Sequence, residues 1–210
     1  MIRYKTVLKE ASIEQIIEKS RFIGYIKPVE SKEEADEFFA GIRQRHKDAS
    51  HNVPAFVIGE QSNLQWASDD GEPQGTSGAP IVQMLVKEGI TNVAIMVTRY
   101  FGGIKLGTGG LVRAYTGMAK AALAESGVCY MKEFIVLRVR VEYPLYGRLQ
   151  NLEGSGEFQI LDSEFEEMIT LELAMEPENL EKLRGLLGDL SGGGYEELGI
   201  KEVLTKVPLL

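Results

Sequence analysis

The 210-residue sequence predicts an α+β protein of two domains, residues 1–132 and 133–210. Three observations carry this. The length suits two cores better than one. Charge divides sharply: Met1 to Lys132 holds 16 Lys and Arg against 15 Asp and Glu, net +1, whereas Glu133 to Leu210 holds 7 against 16, net −9. The acidic third also shows a regular alternation of strand-period and helix-period segments.

In the first domain, short strands are expected at Arg3 to Leu8, Ile13 to Lys19 and Arg21 to Pro28. A helix over about Ser31 to Arg45 follows, because Ser31 with Glu34 three residues on has the spacing of a capping box. Strands at Val53 to Gly59 and Asn63 to Ala67 precede the loop SDDGEPQGTSG, and an apolar helix runs from Ala79 to Glu88. The run NVAIMVTRYF reads as a strand, GGIKLGTGG as a glycine loop, and about Gly110 to Ser126 as a helix ended by Gly127. Together these suggest helices packed on a mixed sheet.

In the second domain, FIVLRVRVE (Phe134 to Glu142) alternates apolar and polar residues as a half-buried strand does. A short helix over Tyr143 to Leu152 tolerates Pro144 in its first turn, and Glu153 to Gly156 reads as a glycine turn. Strands at Glu157 to Asp162 and Glu166 to Met175 come next. Pro177 opens a helix carrying Leu180, Leu183, Leu186, Leu187 and Leu190, and a last strand covers Glu196 to Lys206. Strand, helix, strand, strand, helix, strand is the split βαβ order of ferredoxin-like domains. That fold carries many unrelated activities.

Composition narrows the setting. The chain is 44% hydrophobic and 26% charged, a globular profile. Cys129 is the single cysteine, so neither an intrachain disulfide nor a CxxC arrangement can form; it reads as a buried structural thiol. With no signal-peptide core and no apolar run of about 20 residues, a cytoplasmic location without a membrane partner is expected. A net charge of −8 argues against uniform binding to polyphosphates. Between Glu88 and Glu125, however, there is no acid at all, while Arg99, Lys105, Arg113 and Lys120 all fall inside. That span attracts anions.

The loop Gly102 to Gly110 lies between a strand and a helix, where glycines let a ligand approach backbone N–H groups at a positive dipole end. Gly107, Thr108, Gly109 and Gly110 are therefore candidates for a phosphate cradle. Nucleotide motifs do not match: Thr108-Gly109 stands where a Walker loop needs Lys-Ser/Thr, and Val112 stands where a dinucleotide fingerprint needs its third glycine. A tight strand-to-helix connection is the competing reading. On the helix, Leu111, Tyr115, Met118 and Ala122 recur at core spacing, and Arg113, Gly117 and Lys120 share another side. Strand alternation sends Arg99 and Phe101 one way and Tyr100 the other, a mixture suited to base stacking with phosphate contact; core packing of Phe101 is the alternative.

Asp69, Asp70 and Glu72 put three carboxylates in four residues. They can hold Mg²⁺ or act as acid and base, or serve as turn caps, and Asp69 or Asp70 can pair with Arg99 or Arg113. His46 and His51 are the two histidines. A hydroxyl nucleophile at Thr76 or Ser77 with a histidine base and Asp69 can be imagined, although nothing in the sequence brings them together. His51, Asp69, Asp70 and Glu72 are thus the catalytic or metal-ligating candidates, and they matter only to the alternative of a phosphate- or nucleotide-binding enzyme. The main reading needs no cofactor.

The stretches SDDGEPQGTSGAP and VTRYFGGIKLGTGGLVRAY, with Ala49-Ser50-His51 upstream, resemble the IMPACT/YigZ family. The likeness covers about Glu10 to Glu125, and the acidic tail looks like the second domain of the bacterial members. It implies a first domain similar to the second domain of small-subunit ribosomal protein five, and a pair of domains similar to domains IV and V of elongation factor G. It implies a translation-associated or RNA-binding role, and the main reading is a non-enzymatic protein that binds RNA or the ribosome through its N-terminal domain. The acidic domain would repel RNA and suits a basic protein partner. Eukaryotic relatives act in translational control under amino-acid starvation through a region not found in these 210 residues, so that role is not expected to carry over.

Overall fold

The structure, a computed structural model, describes residues 2–153 and 156–209. The expected turn at Glu153 to Gly156 is thus only partly covered, because Gly154 and Ser155 lie outside the described residues. Two compact units emerge: Arg3–Met131 together with the segment from Lys206 onward, and Lys132–Thr205 with Ile2. No helix among the described residues is long and apolar enough to cross a membrane.

The first unit contains most of β1 (Ile2–Val7), with β2 (Ala11–Ile17), β3 (Ser20–Pro28), α1 (Lys32–Arg45), β4 (His51–Ile58), β5 (Leu64–Ala67), α2 (Gly78–Lys87), β6 (Val93–Tyr100) and α3 (Gly107–Ser126). Its sheet runs β2-β3-β6-β4-β5. Every pairing in it is antiparallel, not mixed as the sequence suggested. The physical reason is the position of β6. A helix between β3 and β4 suggests parallel neighbours, but β6 occupies the slot between them and pairs with each.

Side-chain alternation then builds two cores on one sheet. Ala35, Phe38, Phe39 and Ile42 of α1 cover Phe56, Ile58, Ala94 and Met96. On the opposite face, Ile81 and Leu85 of α2 and Leu111, Tyr115 and Met118 of α3 cover Phe22, Ile26, Val53, Ala55, Ile95 and Val97. β6 is buried on both faces from Val93 to Arg99, which is why its sequence is a continuous apolar run rather than an alternating one.

The second unit holds most of β7 (Val128–Val141), α4 (Tyr143–Leu152), β8 (Gln159–Phe165), β9 (Ile169–Met175), a 3-10 turn at Pro177–Asn179, α5 (Leu180–Ser191) and β10 (Glu196–Pro208). The sheet order is β8-β9-β7, with β10 against β7. Leu137, Val139, Leu171 and Leu173 meet Leu145 and Leu149 of α4 and Leu183 and Leu187 of α5, so both helices lie on one face. The expected order of elements is present, with β7 beginning six residues earlier than the alternation predicts.

One close approach fixes the end of the first unit where β6 runs out. A Cβ on Gly102 would overlap the Lys19 carbonyl in the β2–β3 turn. Gly109, in the first turn of α3, has no such constraint: a Cβ there would meet nothing nearer than Arg113 Nη1 at 3.6 Å. Gly102→Ala is therefore expected to destabilise by about 1–3 kcal/mol through overpacking, and Gly109→Ala to stabilise by about 0.5 kcal/mol by relieving backbone entropy. Denaturant midpoints of the two variants check the contrast.

Candidate functional site

The end of β6 gathers the residues singled out from the sequence. In register, Arg99 stands opposite His51 of β4 and Phe22 of β3, and Tyr100 stands opposite Arg21. Alternation sends the Arg99 side chain toward α2 and α3 and the Tyr100 side chain toward α1.

Arg99 is not the surface contact expected of it. It is 4% exposed. Its Nη1 donates to Glu72 Oε1 at 2.7 Å and its Nη2 to Ser20 Oγ at 3.2 Å. Nε is buried without a partner, and the guanidinium carbon lies 5.3 Å from the Phe22 ring centre and 5.4 Å from that of Phe101. Glu72 also accepts from Tyr115 Oη at 2.7 Å. Burial, reinforced by that hydrogen bond, holds the Tyr115 phenol far above its ordinary range. Since Tyr115 sits two turns into α3, the acidic loop and the glycine-bearing helix form one contiguous structure, joined by Glu72.

His51 Nδ1 lies 2.9 Å from the Asp70 carbonyl oxygen, an acceptor only, so Nδ1 donates to it. Nε2 is 3.8 Å from Glu72 Oε1. The remaining carboxylates are engaged elsewhere. Asp69 accepts from Gly75 N at 2.7 Å, Ser77 N at 3.1 Å, Gly78 N at 2.9 Å and Ser77 Oγ at 2.7 Å, so it caps α2. Asp70 accepts from Asn52 N at 2.6 Å and Arg43 Nη1 at 3.0 Å.

Asp69, Asp70 and Glu72 each serve a different partner, and among the described residues no group of three or more His, Cys, Asp or Glu side chains is placed to hold a metal ion. Ser77 Oγ bonds to Asp69 rather than to a histidine, and Thr76 Oγ donates to the Pro73 carbonyl. The imagined triad does not assemble.

The glycine loop is shorter than expected. α3 begins at Gly107, not near Gly110, so Gly107, Thr108, Gly109 and Gly110 are its first turn. The preceding Leu106 makes no side-chain cap and the turn contains no acid. The helix meets a depression of about 470 Å³ lined by Ile17, Glu18, Lys105, Leu106, Gly110 and Arg113. Lys105 and Arg113 are exposed there, and Glu18 is also part of the lining. Lys120, farther along, faces Glu88 from the end of α2 at 3.8 Å, so the acid-free face read from sequence acquires an acid in space.

On the other side of the sheet, Tyr100 Oη lies 2.8 Å from His46 Nδ1 and Tyr25 Oη lies 2.6 Å from His46 Nε2. The Arg21 and Arg45 guanidinium carbons sit 5.4 and 5.2 Å from the Tyr100 and Tyr25 ring centres. Burial first, then the charges of Arg45 and Arg21, lower the pKa of His46, which favours the neutral ring. This aromatic and cationic cluster was missed at the level of sequence. Its members come from β3, the end of α1 and the end of β6, and no local spacing links them.

Removing one member of the buried pair leaves an uncompensated charge. Arg99→Ala and Glu72→Ala are each expected to cost about 3–5 kcal/mol, and the double variant less than their sum; chemical denaturation of the three variants measures this. For Asp69, burial alone would raise the pKa, but the hydrogen bonds from Ser77, Gly75 and Gly78 outweigh it and hold it below the usual carboxylate value. A depressed folded pKa contributes stability that is full above about pH 4 and is lost as pH falls through the folded value. Asp69→Ala is expected to cost about 1–2 kcal/mol at pH 7 through the lost cap. The gap to wild type should narrow below about pH 4, read by urea midpoints at pH 7 and pH 3.

The Impact N-terminal domain family model matches residues 18–123, and a domain of unknown function, DUF1949, matches residues 139–193. The IMPACT family member YvyE of Bacillus subtilis (strain 168) is 36% identical over 190 residues, covering 90% of this chain and 88% of that protein. The family member YigZ of Escherichia coli (strain K12) is 34% identical over 188 residues, covering 89% and 92%. A crystal structure of a hypothetical protein superposes with a TM-score of 0.59 at 31% identity, covering 96% of this chain and 98% of that one. With both domains matched in order and the likeness running through nearly the whole length, the chain belongs to the IMPACT family.

Proposed function

We propose that this protein binds RNA or the ribosome in a translation-associated role, with the N-terminal unit as the binding element. One observation carries the proposal: Lys105 and Arg113 line a single depression beside the first turn of α3, where no side chain caps the helix and no acid lies in that turn. Two cations and a helix N-terminus suit phosphate groups. The resemblance to the family implies a first domain similar to a ribosomal-protein domain and a pair of domains similar to those of an elongation factor, and that implication supports the same reading. The split βαβ order of the second unit fits that likeness. Its net charge of −9 over residues 133–210 disfavours RNA and suits a basic protein surface.

Exposed cations and buried ones have different parts in this proposal. Arg99 organises the site from inside, so its removal would weaken binding by unfolding the site and is a poor probe of contact. Lys105→Ala and Arg113→Ala are the informative substitutions. Each should weaken RNA binding across sequences and reduce the slope of log K against log salt by about 1, with folding unchanged. Fluorescence anisotropy at several salt concentrations measures both quantities. Undetectable binding to any RNA, or binding insensitive to salt and to the double substitution, would sink the proposal.

A further inference from the structure

We infer that Phe101 is a stacking platform for an unpaired base, so that the RNA engaged at this end of the N-terminal unit is single-stranded or looped. The inference rests on the RNA reading above and names the form of RNA that the site takes.

Phe101 is 49% exposed, so it is not part of either core. Yet the backbone that carries it is held on both sides. Its N–H donates to Ser50 Oγ at 3.0 Å, and the N–H of Gly102 donates to Ser20 Oγ at 3.2 Å. Ser50 N–H in turn donates to the Arg99 carbonyl at 2.9 Å. The backbone at Gly102 lies close against the β2–β3 turn, where an added Cβ would overlap the Lys19 carbonyl. A half-exposed ring on immobilised backbone has little conformational entropy left to lose when something settles against it.

The ring's surroundings suit a base. The Arg99 guanidinium, buried and paired with Glu72, stands 5.4 Å from its centre, so the π-system is backed by a fixed cation. Trp66, an exposed aromatic at the β5 edge of the same sheet, already stacks on Phe56 at 5.8 Å. Phe101 has no aromatic ring partner among the described residues. Lys105 follows four residues on, at most roughly 14 Å along the chain, which places phosphate-binding charge within reach of a nucleotide stacked on the ring. In an A-form duplex the base faces are covered by their neighbours, whereas an unpaired base offers its π-face.

The test uses the full chain and labelled RNA: a 12-nucleotide unstructured strand and the duplex of the same sequence. The expected result is tighter binding of the single strand. Phe101→Ala should weaken that binding roughly five- to hundred-fold, with Phe101→Trp retaining it. In a Trp66→Phe background the new indole of Phe101→Trp should be quenched by the single strand and not by the duplex, a direct readout that does not depend on the stability of the alanine variant. Equal affinity for the two RNA forms with no quenching and no effect of Phe101→Ala overturns the stacking platform and leaves RNA binding standing. Absence of binding to either form overturns both.

Discussion

The buried contact between Arg99 and Glu72 is the interaction on which the end of the first unit depends. Their side chains are 5% and 4% exposed. At that depth desolvation is costly, and replacing such a pair by apolar residues is often neutral or better. What the pair supplies here is position. Arg99 comes from β6, Glu72 from the loop before α2, Ser20 from the start of β3 and Tyr115 from α3, and His51 approaches from β4. A hydrophobic contact is non-directional and would allow these five elements to slide. The directed hydrogen bonds from Arg99 to Glu72 and Ser20, and from Tyr115 to Glu72, resist such sliding.

The same contact decides which charges reach solvent. Counted along the chain, the span after Glu88 carries four cations and no acid. In space, Arg99 is neutralised by Glu72, Lys120 faces Glu88, and Glu18 lines the same depression as Lys105 and Arg113. The attraction for anions is therefore local to Lys105, Arg113 and the N–H groups of the first turn of α3. Such a small source gives interactions that fade beyond a Debye length of about 8 Å at physiological salt. It favours contact with phosphates held at the surface over long-range steering.

The parts of this arrangement legible in sequence are those set by local chemistry. Ser31 Oγ accepts from Glu34 N at 3.2 Å as the capping spacing requires, although the Glu34 carboxylate returns to the N–H of Glu30 and not to that of Ser31. The periodicity of α3 placed Tyr115 and Met118 in the core, and both are fully buried. The order of elements in the second unit followed from alternation and glycine stops. What stayed illegible was set by topology. A strand-end arginine gives no local sign that a glutamate 27 positions earlier will fold over it. Nor does His46, at the end of α1, signal that β6 will be inserted beside β3 and bring Tyr100 to it. The acidic loop illustrates the limit best: three carboxylates in four residues look like a ligand set until the chain folds and sends them to a helix cap, an Arg43 pair and a buried Arg99.

The glycine run also changes meaning in three dimensions. Gly102 is required by the Lys19 carbonyl, and Gly107 by a φ of +70°. Much of the run is therefore architecture, which is the reading that a tight strand-to-helix connection predicted. The case for a bound polyanion does not need the glycines as a cradle, because their effect is indirect. By bringing β6, the β2–β3 turn and α3 into close contact, they bring the rigid backbone of Phe101, the exposed Lys105 and the uncapped turn before Arg113 into a short stretch at one end of a single sheet. The proposed anion binding by this segment rests on that juxtaposition and not on any motif within it.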